Sequence, residues 1–122
     1  MKTSNDPRHK KRQEIIKSLF TQSFLKQPTA NPIIQKILDN QTSIDDKIRS
    51  IAPEFPIEKI NKTDLAILRL GVYELTIDLS QPKKVVIDEA IELAKEFGGE
   101  NSAGFINGAL GKLVRDIKNE NT

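Results

Sequence analysis

The 122-residue sequence contains no cysteine and a single histidine, and aromatic residues make up only 5% of it. The lack of cysteine excludes disulfides and thiolate metal sites and fits a reducing cytosol. His9 cannot form a metal site alone, so we predict no metal and no cofactor. Apolar runs are also short, and none follows the N-terminal charges. We therefore expect neither a membrane span nor a signal peptide, and a cytoplasmic location.

Strand signals are scarce too, because no alternating apolar pattern continues beyond four residues. Apolar residues instead recur at spacings of three and four, which predicts an all-α protein. A chain of this length is typical of one domain, which we assign to residues 1–122, with residues 1–7 flexible.

Capping signals divide the chain into helices. Asp6-Pro7 and Asn31-Pro32 both combine a capping side chain with proline at the first helical position, and Thr42 or Ser43 offers a cap for a third helix. Residues 58–78 have the strongest helical periodicity and predict one central helix. Two more helices follow, one ending at Gly98 or Gly99 and one over about 101–118. The first helix is predicted to direct inward Ile15, Ile16, Leu19, Phe20 and Phe24.

Positive charge is concentrated at one end of the sequence. Residues 1–26 hold seven Lys and Arg against two acidic residues, whereas residues 27–122 hold twelve against fifteen. The run RHKKR begins just after the predicted Asp6 cap, where the helix dipole disfavours cations. Phosphate binding would explain this placement, so nucleic-acid ligands are predicted at Arg8, Lys10, Lys11 and Arg12. The alternative is a frayed, solvated terminus.

The last helix contains three glycines in eight residues, although each costs roughly 0.8 to 1 kcal/mol relative to alanine. Asn101, Phe105, Gly108 and Lys112 share one side of this helix. An aromatic ring beside a glycine and a lysine could stack an unpaired base and hold its phosphate. Alternatively, Phe105 belongs to the core and the glycines permit close helix packing. Both interpretations require close approach to this helix.

Nothing in the sequence favours catalysis. A carboxylate cluster lies opposite the apolar positions of its own helix, which predicts a solvated face, and no nucleophile, phosphate loop or dinucleotide motif accompanies it. We therefore predict that the chain is not an enzyme. The cluster comprises Asp88, Glu89, Glu92 and Glu96.

Two segments carry a family resemblance. Over about residues 61–116, the chain resembles the core signature of the NusB family of transcription antitermination proteins. The two segments that carry the resemblance are TDLAILRLGVYEL and PKKVVIDEAIELAKEFGGENSAGFINGALGKLVRD. Residues 8–25 resemble the family's arginine-rich first helix more weakly. The resemblance implies an all-helical fold of two small bundles, with about six to seven helices. The segment over residues 27–56 is shorter than is usual in this family. Phe20 stands where the family commonly has tyrosine, and Asp88 replaces the usual asparagine.

The resemblance also implies a function. Such proteins pair with the small ribosomal subunit protein NusE, recognise boxA-type single-stranded RNA in ribosomal RNA transcripts, and act on the transcription elongation complex. The implied RNA contacts are the basic first helix, Asn101 and Phe105, and the implied protein-partner contacts are Phe20 and Asp64. A second hypothesis is a helical protein-interaction module without RNA binding, which the basic run disfavours.

Overall fold

The computed structural model describes residues 6–120, and within this range all regular structure is helical. The all-α prediction is confirmed. No helix in the described range is long and apolar enough to cross a bilayer. A short 3₁₀ turn at Ile57–Lys59 and a π turn at Glu74–Asp78 flank the fourth helix. The six α-helices are α1 Pro7–Gln22, α2 Pro32–Asp39, α3 Gln41–Ile51, α4 Lys62–Tyr73, α5 Lys83–Phe97 and α6 Ser102–Glu120.

Helix α4 is the centre of the fold and contacts each of the other five α-helices. Residues 64–73 are buried without interruption, as expected for a helix with apolar side chains around most of its circumference. Leu68 and Val72 are completely buried. Gly71 permits the contact with α6, because a Cβ at this position would lie 2.8 Å from Leu110 Cδ1.

Side-chain caps fix where several helices begin. Asp6 accepts a hydrogen bond from the Arg8 backbone N–H at 2.9 Å, and Asn31 caps α2 in the same way. Asp6 is the cap of α1 and Pro7 is its first residue, and the flexible start predicted for residues 1–7 stays a prediction. Residues 1–5 lie outside the described part of the chain.

Two predicted helix boundaries are wrong. The single central helix over residues 58–78 is interrupted at Asn61, whose side chain accepts the Thr63 and Asp64 backbone N–H groups and so starts α4. Helix α3 begins at Gln41, directly after α2, and neither Thr42 nor Ser43 caps it. Sequence periodicity did not locate these boundaries because the apolar pattern continues through both.

Candidate nucleic-acid interface

The basic run occupies the first two turns of α1, where the 3.6-residue period separates it into two faces. Arg8, Lys10 and Lys11 are exposed, whereas His9 and Arg12 are buried. The predicted set of four phosphate ligands is therefore divided. Three of its members point to solvent, and the fourth lies inside the protein.

Arg12 holds α1 against two other elements. Its Nε and Nη2 atoms donate to the Glu74 carboxylate at 2.9 and 2.7 Å, and its Nη1 atom donates to Glu89 Oε1 at 2.9 Å. Burial alone would lower the pKa of Arg12, but the hydrogen bonds and charges of the two carboxylates raise it. Burial of Arg12 and the donation of all three of its nitrogens to glutamates disfavour the phosphate contact predicted for this residue.

His9 forms the second buried contact of the run. Its Nδ1 atom lies 3.1 Å from Glu89 Oε1, and its Nε2 atom lies 2.8 Å from Glu96 Oε1. Burial opposes protonation of the ring, but the hydrogen bonds and charges of both glutamates raise the pKa of His9. Glu89 is 1% exposed, so the predicted solvated carboxylate face is wrong at this position. Asp88, Glu92 and Glu96 are exposed as predicted.

The exposed cations of α1 border a cleft of about 220 Å³ between α1 and the end of α4. Arg8 and Lys11 lie on one side, and Tyr73 and Asp78 lie on the other. Burial raises the pKa of Tyr73, with a further contribution from the charges of Asp78 and Glu74. The cleft thus places two exposed cations and a neutral hydroxyl beside the carboxylates of Glu74 and Asp78.

Two residues of the predicted platform, Asn101 and Phe105, lie at the start of α6. Asn101 is exposed directly before the helix, and its carbonyl accepts the Phe105 N–H at 3.1 Å. Phe105 is half-buried against the core, and Phe55 meets it edge-to-face with ring centroids 5.7 Å apart. Lys112 is partly exposed and pairs with Asp116 at 3.1 Å. Phe105 therefore packs partly against the core and also contributes to the surface.

The glycines of this surface have open space beside them. A Cβ placed on Gly104 or Gly108 would meet no other atom within 4 Å, and one placed on Gly111 would be in ordinary contact with Arg115. Close helix packing therefore does not explain Gly104 and Gly108. Within the described residues no neighbouring element closely approaches Gly104 or Gly108, so close approach at these two glycines stays a prediction for a ligand that comes from outside.

A cleft of about 350 Å³ brings together residues from the two predicted interfaces. Asn101 and Phe105 line it together with Phe55 and Asp64. Asp64 is the third residue of α4, where the helix dipole favours a carboxylate, and its Oδ1 atom has no hydrogen-bond partner among the described residues. Asp64, predicted as a protein-partner contact, thus shares a cleft with two predicted RNA contacts.

Phe20 lies in a neighbouring cleft of about 370 Å³, lined by Lys17, Thr63 and Phe97 among others. Thr63 precedes Asp64 in the chain, so the two clefts adjoin at the first turn of α4. Phe20 is 40% exposed and packs edge-to-face on Phe24 at 5.0 Å. The prediction that both rings point inward is wrong, because Phe20 projects beside the buried Leu19 stripe and Phe24 follows the end of α1.

Sequence reasoning missed Phe55 and the carboxylate partners of the basic run. Phe55 is exposed between Pro53 and Pro56, and an aromatic residue in such a proline-rich turn is the signal that could have identified it. Sequence spacing gives no indication that Glu74 and Glu89 pair with Arg12, since these glutamates are 62 and 77 residues away from it in the chain. In the described range, no group of side chains could hold a metal ion.

Comparison with known proteins decides the family. The model of the NusB family matches residues 2–115. The chain belongs to the NusB family. This NusB-family chain is 50% identical over 82 residues to the transcription antitermination protein NusB of Clostridium botulinum (strain Kyoto / Type A2), with 67% of this chain and 57% of that protein covered. The NusB of Acetivibrio thermocellus is 43% identical over 83 residues, with 68% and 57% covered.

The fold agrees with a solved NusB structure. The NusB of T. maritima superposes with a TM-score of 0.82 and 32% sequence identity, over 94% of this chain and 93% of that one. The matched part of the chain spans 57% of the length of the two curated relatives. The predicted resemblance to the NusB family is confirmed.

Proposed function

We propose that this chain is an RNA-binding transcription antitermination factor that acts by binding and not by catalysis. Together with the ribosomal protein NusE, it would recognise boxA-type RNA in ribosomal RNA transcripts, as part of the transcription elongation complex in the cytoplasm. The relatives named above as transcription antitermination proteins support the general role. The observation that carries the RNA-binding part is the pair of α1 and α6 surfaces.

The α1 surface supplies charge without sequence selectivity. Arg8, Lys10 and Lys11 are exposed on one helical turn, and such side chains reach phosphates of a flexible strand. Arg12 is excluded from this role by its ion pairs. The proposed phosphate ligands on α1 are therefore these three exposed residues.

The α6 surface supplies a contact for bases. Phe105 and Phe55 form a perpendicular aromatic corner beside Asn101, and Gly108 leaves the adjoining surface flat. A single-stranded RNA base can stack on such a ring while an amide hydrogen-bonds its edge. Lys112 lies one turn beyond Gly108, where it could exchange its Asp116 contact for a phosphate.

The partner protein is proposed to bind at the Phe20 cleft and the adjoining Asp64. The exposed Phe20 shares this cleft with Phe97, and the Lys17 ammonium lies over the Phe97 ring at 5.5 Å from its centroid. Apolar area with a cation beside it suits a protein interface. This cleft is also the observation that favours the second candidate function, a helical interaction module that binds protein and not RNA.

A titration distinguishes the two functions. A labelled boxA-like single-stranded RNA is mixed with the protein, with and without purified NusE, and a scrambled RNA of the same composition serves as the control. We expect tighter binding to the boxA-like RNA than to the scrambled RNA, and a further increase in affinity with NusE. Binding of NusE with no binding of either RNA would support the interaction module instead.

A further inference from the structure

His9 is buried with a carboxylate at each ring nitrogen. Glu89 Oε1 lies 3.1 Å from Nδ1 and Glu96 Oε1 lies 2.8 Å from Nε2, and the residue is 4% exposed. A neutral imidazole has one N–H donor and one acceptor, whereas ionised carboxylates only accept. Only the imidazolium form can donate to both partners. The geometry therefore selects the protonated ring.

The charges around the ring also require a proton. Helix α5 contributes Glu89 and Glu96, the π turn contributes Glu74 through Arg12, and α1 contributes Arg12 itself. With a neutral His9, Arg12 would be the one cation facing three carboxylates in this cluster. Protonation of His9 adds a second cation, which reduces the repulsion among the carboxylates.

The position of His9 links this cluster to the exposed cations. It lies between Arg8 and Lys10 in the first turn of α1, and its Glu96 contact reaches the last turn of α5. Gln13, one turn later, also donates to Glu96, at 3.2 Å. The two contacts of His9 lie nearer the start of α1 than those of Arg12 and Gln13, which are about one turn farther along.

We propose that His9 is a proton-dependent clamp, in which the imidazolium held between Glu89 and Glu96 orders the first turns of α1 and thereby positions Arg8, Lys10 and Lys11. The consequence for RNA affinity rests on the proposed function, whereas the clamp itself does not. Loss of the proton would remove one of the two hydrogen bonds and loosen the start of α1.

The direction of the pH dependence follows from the raised pKa of His9. A group whose pKa is higher in the folded state stabilises the fold fully below its unfolded value of about 6.5, and this contribution is lost as the pH rises through the folded value. Lysine and arginine keep their charges throughout this range. A change in affinity above neutral pH that His9→Arg abolishes would therefore report on His9 and not on the phosphate ligands.

The first test is an NMR titration, which needs no RNA. His9 is the only histidine of the chain, so its ring signals need no assignment. We expect a pKa above the ordinary value, and a lower pKa in the variant Glu96→Gln, which removes one charged acceptor. Titration at or below the ordinary value in the wild-type protein, or an unchanged pKa in Glu96→Gln, would overturn the clamp.

The second test compares two substitutions at the same position. His9→Arg keeps a permanent cation, and His9→Gln is neutral at every pH. At about pH 6, His9→Gln should bind a boxA-like RNA roughly two- to tenfold more weakly than the wild type, since the apparent dissociation constant rises as the ordered fraction falls. At about pH 6, His9→Arg should bind this RNA as tightly as the wild type does. At about pH 8.5 the RNA affinity of the wild type should be lower, whereas that of His9→Arg should not.

Melting curves make the result independent of RNA. The difference in stability between His9→Arg and the wild type should grow as the pH rises, because only the wild type loses its cation. Equal RNA affinity of His9→Gln and wild type, with parallel melting profiles for His9→Arg, would overturn the proposal. If wild-type protein binds no RNA, the proposed function fails, and the NMR titration and melting curves still decide whether the clamp exists.

Discussion

The outward and inward faces of the first two turns of α1 differ in what their positive charges do. Arg8, Lys10 and Lys11 project into solvent, whereas Arg12 and His9 are buried against carboxylates from α5 and the π turn. Both faces come from the five-residue run RHKKR. Net charge therefore describes this segment poorly, because helical periodicity leaves three of the cations in solvent and buries the other basic residues in the fold.

The difference between the faces should appear as a difference in energy. Removing an exposed cation changes stability little, because water already solvates it. Removing one partner of a buried ion pair leaves the other charge unpaired in the protein interior, where water does not solvate it. The resulting loss of stability is far larger than the net stabilisation that the pair provides. The three predictions that follow test this comparison and extend it to α6.

The largest effect is expected from the inward face. Arg12→Met keeps most of the side-chain length but removes the guanidinium from Glu74 and Glu89. The free energy of unfolding should fall by about 3–5 kcal/mol, as for other broken buried ion pairs. Urea denaturation followed by circular dichroism measures this change.

Lys11→Met is the matched control for this substitution, since it makes the same chemical change one position earlier on the outward face. Its unfolding free energy should stay within about 0.5 kcal/mol of the wild type. Equal losses in the two variants would show that the two faces do not differ.

A smaller effect is expected at the α6 surface, where Phe105→Leu keeps apolar volume and removes the aromatic plane. If the ring stacks on a base, RNA affinity should fall about fivefold to a hundredfold, which corresponds to roughly 1 to 3 kcal/mol. Binding of NusE alone should stay near the wild-type level. RNA affinity, partner affinity and melting temperature are measured on the same preparation.

The half-buried position of Phe105 against the core gives this experiment a clear contrary result. If the ring serves only packing, the substitution would lower the melting temperature and leave RNA affinity intact. Phe55→Leu is the companion variant, because Phe55 is 48% exposed and meets Phe105 edge-to-face. Loss of RNA affinity in both variants, with no further loss when the two substitutions are combined, would show that the aromatic corner acts as a unit.

The smallest effect concerns Gly108, which has open space where a side chain would be. Gly108→Ala should stabilise the fold by up to about 1 kcal/mol, because alanine has the higher helix propensity. RNA affinity should nevertheless fall if a base approaches this surface closely. Thermal melting and RNA titration on the one variant decide the point, and a stabilised protein with unchanged RNA affinity would argue against close approach at Gly108.

The parts of the fold that local chemistry controls could be predicted from the sequence. The all-α class followed from apolar spacing, and the starts of α1 and α2 followed from Asp6-Pro7 and Asn31-Pro32. The interruption of the central helix at Asn61 was missed, because a capping side chain inside a continuous apolar pattern gives no periodicity signal. The exposure of the Phe20 ring depends on how α1 packs against its neighbours, which helical periodicity alone does not define.

The candidate site was less predictable, because contacts between distant segments decide which residues of the basic run are exposed and which are buried. The run RHKKR predicted an anion-binding surface. Arg12 is not part of that surface, because glutamates from other helices hold it inside the protein. The glycines of α6 predicted close approach, yet the close contacts that a Cβ would obstruct lie at Gly71 in α4 and at Gly98 after α5. Long-range pairing of side chains is information that one sequence read locally does not contain.

The salt dependence of RNA binding tests the two-face account most directly. For single-stranded RNA, the slope of log affinity against log salt concentration changes by about 0.7 for each phosphate contact. Replacing Arg8, Lys10 and Lys11 together by alanine should therefore reduce the slope by about 2, with no loss of stability, whereas folded Arg12→Met protein should keep the wild-type slope. An unchanged slope in the triple variant, or a reduced slope in Arg12→Met, would contradict the account.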